Sequence, residues 1–117
     1  MSIWHERLPH SDSYLVGVSG RLDQSLNPEL EETLSRLLDN GHHDLIVDLS
    51  HTTYINSGGL RCLVSAWRRA RSSDGTLRLC GLNARLQEIF AMVGFDKVFE
   101  IYPNCDEARS LGRRATS

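Results

Sequence analysis

Tyr54-Ile55-Asn56-Ser57-Gly58-Gly59-Leu60 joins an apolar strand to an amphipathic helix. Upstream, Leu45-Ile46-Val47-Asp48-Leu49 is the near-continuous apolar run of a strand buried in the centre of a sheet. Downstream, Leu60, Leu63, Val64 and Trp67 recur at helical spacing and predict a helix from about Gly58 to Ser72. Ser57 therefore sits where a strand hands over to a helix. A serine there is predicted to be the cap, its oxygen accepting a hydrogen bond from an amide of the first turn. It also stands at the positive end of the helix dipole, where added negative charge is favoured.

Working outward, Asp44 to Leu49 is the strand and Ser50 to Asn56 the loop that leads to Ser57. Before it, Asn27 has the chemistry of a cap, Pro28 suits the first helical position, and Glu29, Glu31 and Glu32 load the first turn. Leu30, Leu34, Leu37 and Leu38 share one face of that helix, which Asn40-Gly41 stops. Earlier still, Ile3 to Leu8 reads as a short first strand or an extended arm, and Ser13 to Ser19 as a strand with Tyr14, Val16 and Val18 on one face and Leu15 on the other. Pro9 and the turn cluster His10-Ser11-Asp12 between them predict an antiparallel hairpin, and Gly20-Arg21-Leu22-Asp23 is expected to break the second strand.

After the central helix, Asp74-Gly75 turns the chain into a strand from Thr76 to Cys80, ended by Gly81. Asn83 caps a third helix with Leu86, Ile89, Phe90 and Val93 facing inward, and Gly94 closes it. Val98 to Ile101 is a short last strand, and Asn104 or Asp106 starts a final helix to about Leu111. Residues 1–111 are thus one α/β domain and residues 112–117 a polar tail. Strand–helix alternation after a hairpin predicts a mixed, mostly parallel sheet of about five strands with about four helices. One face is expected to be crowded with helices and the other partly open.

The 117 residues suit one domain, and 40% hydrophobic with 24% charged residues is ordinary for a soluble globular chain. A formal net charge of -2 argues against nucleic acid as a partner. The three scattered cysteines, Cys62, Cys80 and Cys105, form no CxxC pair and fit buried thiols in a reducing compartment. The start of the chain has no signal-peptide pattern, and no stretch has the ~20 apolar residues of a membrane span. A cytoplasmic protein is expected, without a membrane partner.

Enzyme chemistry at Ser57 is disfavoured. A nucleophile elbow needs a glycine two residues before the serine, where this chain has Ile55. His42, His43 and His51 lie in predicted loops, and nothing ties them to Ser57 or to a common metal ion. The glycine pair lacks the spacing and lysine of a phosphate-cradling loop. Gly58 and Gly59 instead clear the approach to Ser57, a surface suited to being acted upon. Arg68, Arg69 and Arg71 read as a solvated helix face, whereas Arg61, four residues past Ser57, is placed to reach a phosphate on it. No cofactor and no metal are expected.

With these segments in order, the chain resembles the STAS domain family, specifically its bacterial anti-sigma factor antagonists. The residues that carry the resemblance are Gly20-Arg21-Leu22-Asp23, Leu45 to Ser50, Tyr54 to Leu60, Gly81-Leu82 and Val93-Gly94-Phe95-Asp96. They extend over about Tyr14 to Leu111. The resemblance implies a non-enzymatic regulator that binds an anti-sigma factor, itself a serine kinase, and thereby frees a sigma factor. It implies phosphorylation of Ser57 by that kinase and reversal by a serine phosphatase. Asp23 matches an acidic residue near the family's partner-binding surface, to which Asn56, Ser57, Gly58, Gly59 and Arg61 are also assigned. The family usually has aspartate before the phosphorylated serine; Asn56 keeps its size and hydrogen-bonding ability without the charge. The resemblance also admits a STAS module that is a constitutive subunit of a lipid-transport or stress-sensing assembly, with Ser57 a plain cap.

Overall fold

The apolar run belongs to β3, Asp44–Ile55, the middle strand of a five-stranded sheet. On one side β3 pairs in parallel with β2, Tyr14–Leu22, which pairs antiparallel with β1, Ser2–Arg7. On the other it pairs in parallel with β4, Thr76–Cys80, which is followed by β5, Glu100–Tyr102. The helices are α1, Asn27–Asp39; α2, Ser57–Ser72; α3, Ala84–Met92; and α4, of which residues 105–109 are seen. This computed structural model describes residues 2–9 and 12–109. The end of the last helix, the tail at 112–117 and positions 10 and 11 of the hairpin turn lie outside the described residues.

The strand order explains the crowded face. Each parallel crossover advances one strand in the same direction, and right-handed crossovers of that kind stack their helices on one side. Leu45, Val47 and Leu49 point to that side, where they pack with Leu34 of α1, Leu63 of α2 and Leu86 and Phe90 of α3. Trp67 is half-buried there, edge-on to Phe99 at 6.1 Å. Ile46 points the other way, into a smaller cluster with Leu8, Leu15, Cys80 and Ala108. On that second face Arg78 is only 3% exposed, and Asp44 accepts hydrogen bonds from it at 2.9 Å and from Thr76 at 2.8 Å. Pairing is what makes such a buried guanidinium tolerable.

Four local expectations change. β2 is not broken at Gly20: it runs on through Leu22, with register shifts on either side of Ser19-Gly20 and a positive φ of 111° at the glycine. Ser50 to Asn56 is not a loop, because β3 continues to Ile55 against the extended β2. His51-Thr52-Thr53-Tyr54 extends the strand because threonine and tyrosine favour pleated backbone. Thr52 is buried and donates its hydroxyl hydrogen bond to the Val18 carbonyl at 3.1 Å. Val93 does not face inward; it is 49% exposed, because the chain leaves the helix at Met92 and turns through Gly94 at a φ of 78°. The last strand starts at Glu100, two residues later than expected, after a 3-10 turn at Phe95–Lys97.

Three other stops and starts follow the sequence reading. Asn40-Gly41 ends α1 with Gly41 at a φ of 88°. The Asn83 side chain accepts from the Leu86 amide at 2.8 Å, and that of Asn104 from the Glu107 amide at 2.9 Å.

Candidate functional site

The extension of β3 decides the geometry at Ser57. Leu22 pairs with Ile55, and the Asn56 amide donates to the Leu22 carbonyl at 3.0 Å. Asn56 is thereby held in extended backbone, the conformation of a cap residue. Its Oδ1 accepts from the Gly59 amide at 3.1 Å. The cap of α2 is therefore Asn56 rather than Ser57. Ser57 is the first helical residue; it is exposed, and its side chain is not tied to another described residue.

Asn27 is likewise displaced from its expected role. Leu26 holds the cap position of α1, without a side-chain hydrogen bond, and Pro28 lies in the first turn. The Asn27 side chain turns instead to α2, where Nδ2 donates to Asn56 Oδ1 at 2.9 Å. One oxygen thus accepts from both a backbone amide and a buried side-chain amide. Asn27 is 9% exposed and its own Oδ1 is buried without a partner among the described residues.

This lock accounts for the glycine pair. A Cβ on Gly58 would lie 2.7 Å from Asn27 Nδ2, and one on Gly59 would lie 2.8 Å from Ile55 Cγ1 and 3.1 Å from Asn27 Oδ1. The glycines leave room for Asn27 beneath the helix start. Gly59 is buried, so it shapes this surface from below, while Gly58 is partly exposed.

Asp23 lies on the neighbouring turn, directly after the end of β2. Its Oδ1 accepts from the Ser25 hydroxyl at 2.7 Å and the Ser25 amide at 3.0 Å, and its carbonyl accepts from the Leu26 and Asn27 amides. The Ser25 hydroxyl, then the Ser25 amide, hold its carboxyl below the ordinary aspartate range. Arg21, 3.7 Å from that carboxylate, lays its guanidinium over the Tyr54 ring at 4.3 Å. Asp23 is thus an ionised turn organiser that fixes the start of α1 and, through it, Asn27.

Between α1 and α2 runs a groove of about 570 Å³, whose lining includes Asn27, Glu31, Asn56, Ser57, Gly58 and Arg61. Arg61 is exposed one turn along α2 from Ser57. Arg69 lies deeper in the groove and bonds to Asp39 and Ser35 of α1, so it is not the simple solvated charge the sequence implied. The histidines do not converge on Ser57: His42 packs against Tyr14, the rings tilted by 39° with centroids 4.4 Å apart, and His51 is exposed on β3. What this corner provides is an exposed hydroxyl on a hydrogen-bonded helix start beside a groove of mixed polarity.

Comparison with known proteins gives the chain a family. The STAS domain model matches residues 7–108. An anti-sigma-B factor antagonist of Staphylococcus epidermidis is 32% identical over 101 residues, covering 86% of this chain and 94% of that protein. The crystal structure of an anti-sigma factor antagonist from Mycobacterium paratuberculosis superposes with a TM-score of 0.83 at 26% identity, covering 96% of this chain and 95% of the other. The Bacillus cell fate determinant SpoIIAA, in its phosphorylated form, shares the fold with a TM-score of 0.74 at 14% identity over 93% of this chain and 97% of its own. The chain belongs to the STAS domain family. Within that family it is homologous to the anti-sigma factor antagonists, which are generally not enzymes. Among the described residues no helix is long and apolar enough to cross a membrane.

Proposed function

We propose that this chain is an anti-sigma factor antagonist in a phosphorylation-controlled partner switch. It binds an anti-sigma factor that is also a serine kinase while Ser57 is unphosphorylated, and a serine phosphatase restores that state. The observation that carries this reading is the exposed Ser57 hydroxyl at the first residue of α2, beside the α1–α2 groove. Asp23, Asn56, Gly58, Gly59 and Arg61 form or support the same partner-binding surface. The homology to anti-sigma factor antagonists supports the partner, and the existence of a phosphorylated form in a protein of the same fold supports the modification.

Charge is what the modification changes. A phosphoserine carries about -1.5 to -2 charges. At the start of α2 the helix dipole and Arg61 favour that charge within this molecule. The domain therefore stays folded, and the effect falls on whatever docks over the helix start. Ser57→Ala tests this against a constitutive interface. With the source cell's anti-sigma factor kinase immobilised, ATP is expected to release the wild-type chain and to leave Ser57→Ala bound. Release of both proteins at the same rate would count against a switch at Ser57.

A further inference from the structure

The second face of the sheet holds a group of side chains that the partner switch does not use. Cys80 ends β4 and Cys105 begins the described part of α4, 25 positions later, yet their Sγ atoms are 2.7 Å apart. Cys80 is fully buried beside Leu15, Ile46 and Ala108, whereas Cys105 is partly exposed. Asp48 is the partner of Cys80 in the β3–β4 register, and its carboxylate and the two sulfurs lie within 4.8 Å of one another.

Two chemistries suit two thiols and a carboxylate: a soft metal ion or a covalent bond. Two thiolates on one tetrahedral zinc stand about 3.8 Å apart, from a Zn–S distance of about 2.3 Å. The sulfurs here are about 1 Å too close for that and within about 0.7 Å of a disulfide bond length. We propose that Cys80 and Cys105 are a dithiol that closes to an intrachain disulfide on reaction with a low-molecular-weight disulfide such as oxidised glutathione.

The exchange balances in two steps. The Cys105 thiolate, the more accessible of the two, attacks one sulfur of the oxidant, which forms a mixed disulfide and expels one thiolate. The Cys80 thiolate then attacks Cys105 Sγ, breaks the mixed disulfide and expels the second. The two protons lost by the cysteines end on the two released thiols. The protein's sulfurs lose two electrons and the oxidant gains them. Burial holds both thiols above the ordinary cysteine range, so the closure accelerates with rising pH. The product ties α4 to β4 across the second face. Cys62 lies apart on α2, its thiol 3.9 Å from the Asn27 carbonyl, and is the internal control.

The test treats the purified full chain with oxidised glutathione, quenches in acid, denatures it and alkylates the remaining thiols. The reduced chain is expected to take three alkyl groups and the oxidised chain one, on Cys62, with a peptide linking Cys80 to Cys105. The midpoint of thermal unfolding is expected to rise by about 10 °C on oxidation and to return with dithiothreitol. Cys62→Ser keeps the linkage, and Cys105→Ser, at a partly exposed position, abolishes it without unfolding the domain. Three alkylated cysteines after oxidation, a lasting glutathione adduct on Cys105, or a linkage through Cys62 would each overturn the proposal. Stoichiometric zinc retained by the reduced chain in dialysis would overturn it in favour of a metal site.

Discussion

Ser57→Asp is expected to weaken binding to the anti-sigma factor kinase by about a hundredfold or more, which corresponds to about 2.7 kcal/mol. The same substitution is expected to leave thermal stability unchanged or slightly raised. Both halves follow from one position. Ser57 is exposed at the first residue of α2, where a carboxylate meets the unpaired amides of the first turn and is favoured by about 0.3–1 kcal/mol. When a partner covers that residue, the charge loses water without gaining a designed counter-ion, and binding suffers. Calorimetric titration and a thermal melt on the same sample read the two effects separately. Undiminished binding would remove Ser57 from the interface, and loss of folding would make it a structural residue.

Asn56→Ala is expected to destabilise the domain by about 2–4 kcal/mol, or about 8–16 °C in unfolding midpoint for a chain of this size. The sum has two parts. Loss of the cap at Gly59 accounts for about 1 kcal/mol. The buried Asn27 amide also loses its acceptor, and an orphaned donor of that kind costs about 1–3 kcal/mol. Asn56→Asp is the informative companion. Both hydrogen bonds use Oδ1 as acceptor, a role a carboxylate oxygen fills equally well. That variant is expected to melt within about 1 kcal/mol of the wild type. A large loss in Asn56→Asp, or none in Asn56→Ala, would mean that the Asn27–Asn56 lock does not hold the helix start. Asn56 supplies an acceptor oxygen, as a carboxylate would, without the charge.

The fold was legible because its decisive signals are local. The apolar run from Leu45 to Leu49, the leucine stripe of α1 and the glycine stops at Gly41 and Gly94 each act over a few residues. The strand-to-helix junction at Ser57 was legible for the same reason. Which of Asn56 and Ser57 caps α2 was not, since both side chains have capping chemistry. The choice is made by the pairing of Leu22 with Ile55, which depends on β3 running six residues beyond the apolar run that ends at Leu49. Asn27 was misread because its partner is 29 positions away and offers no local signal. The proximity of Cys80 and Cys105 depends in the same way on how α4 settles on the sheet.

The central claim is that Ser57 receives the phosphate. Its most direct test is incubation of the chain with its anti-sigma factor kinase and ATP, followed by peptide mapping by mass spectrometry. A single phosphate on Ser57 and no incorporation in Ser57→Ala are expected. Phosphate on another residue, or full incorporation in Ser57→Ala, would contradict that claim.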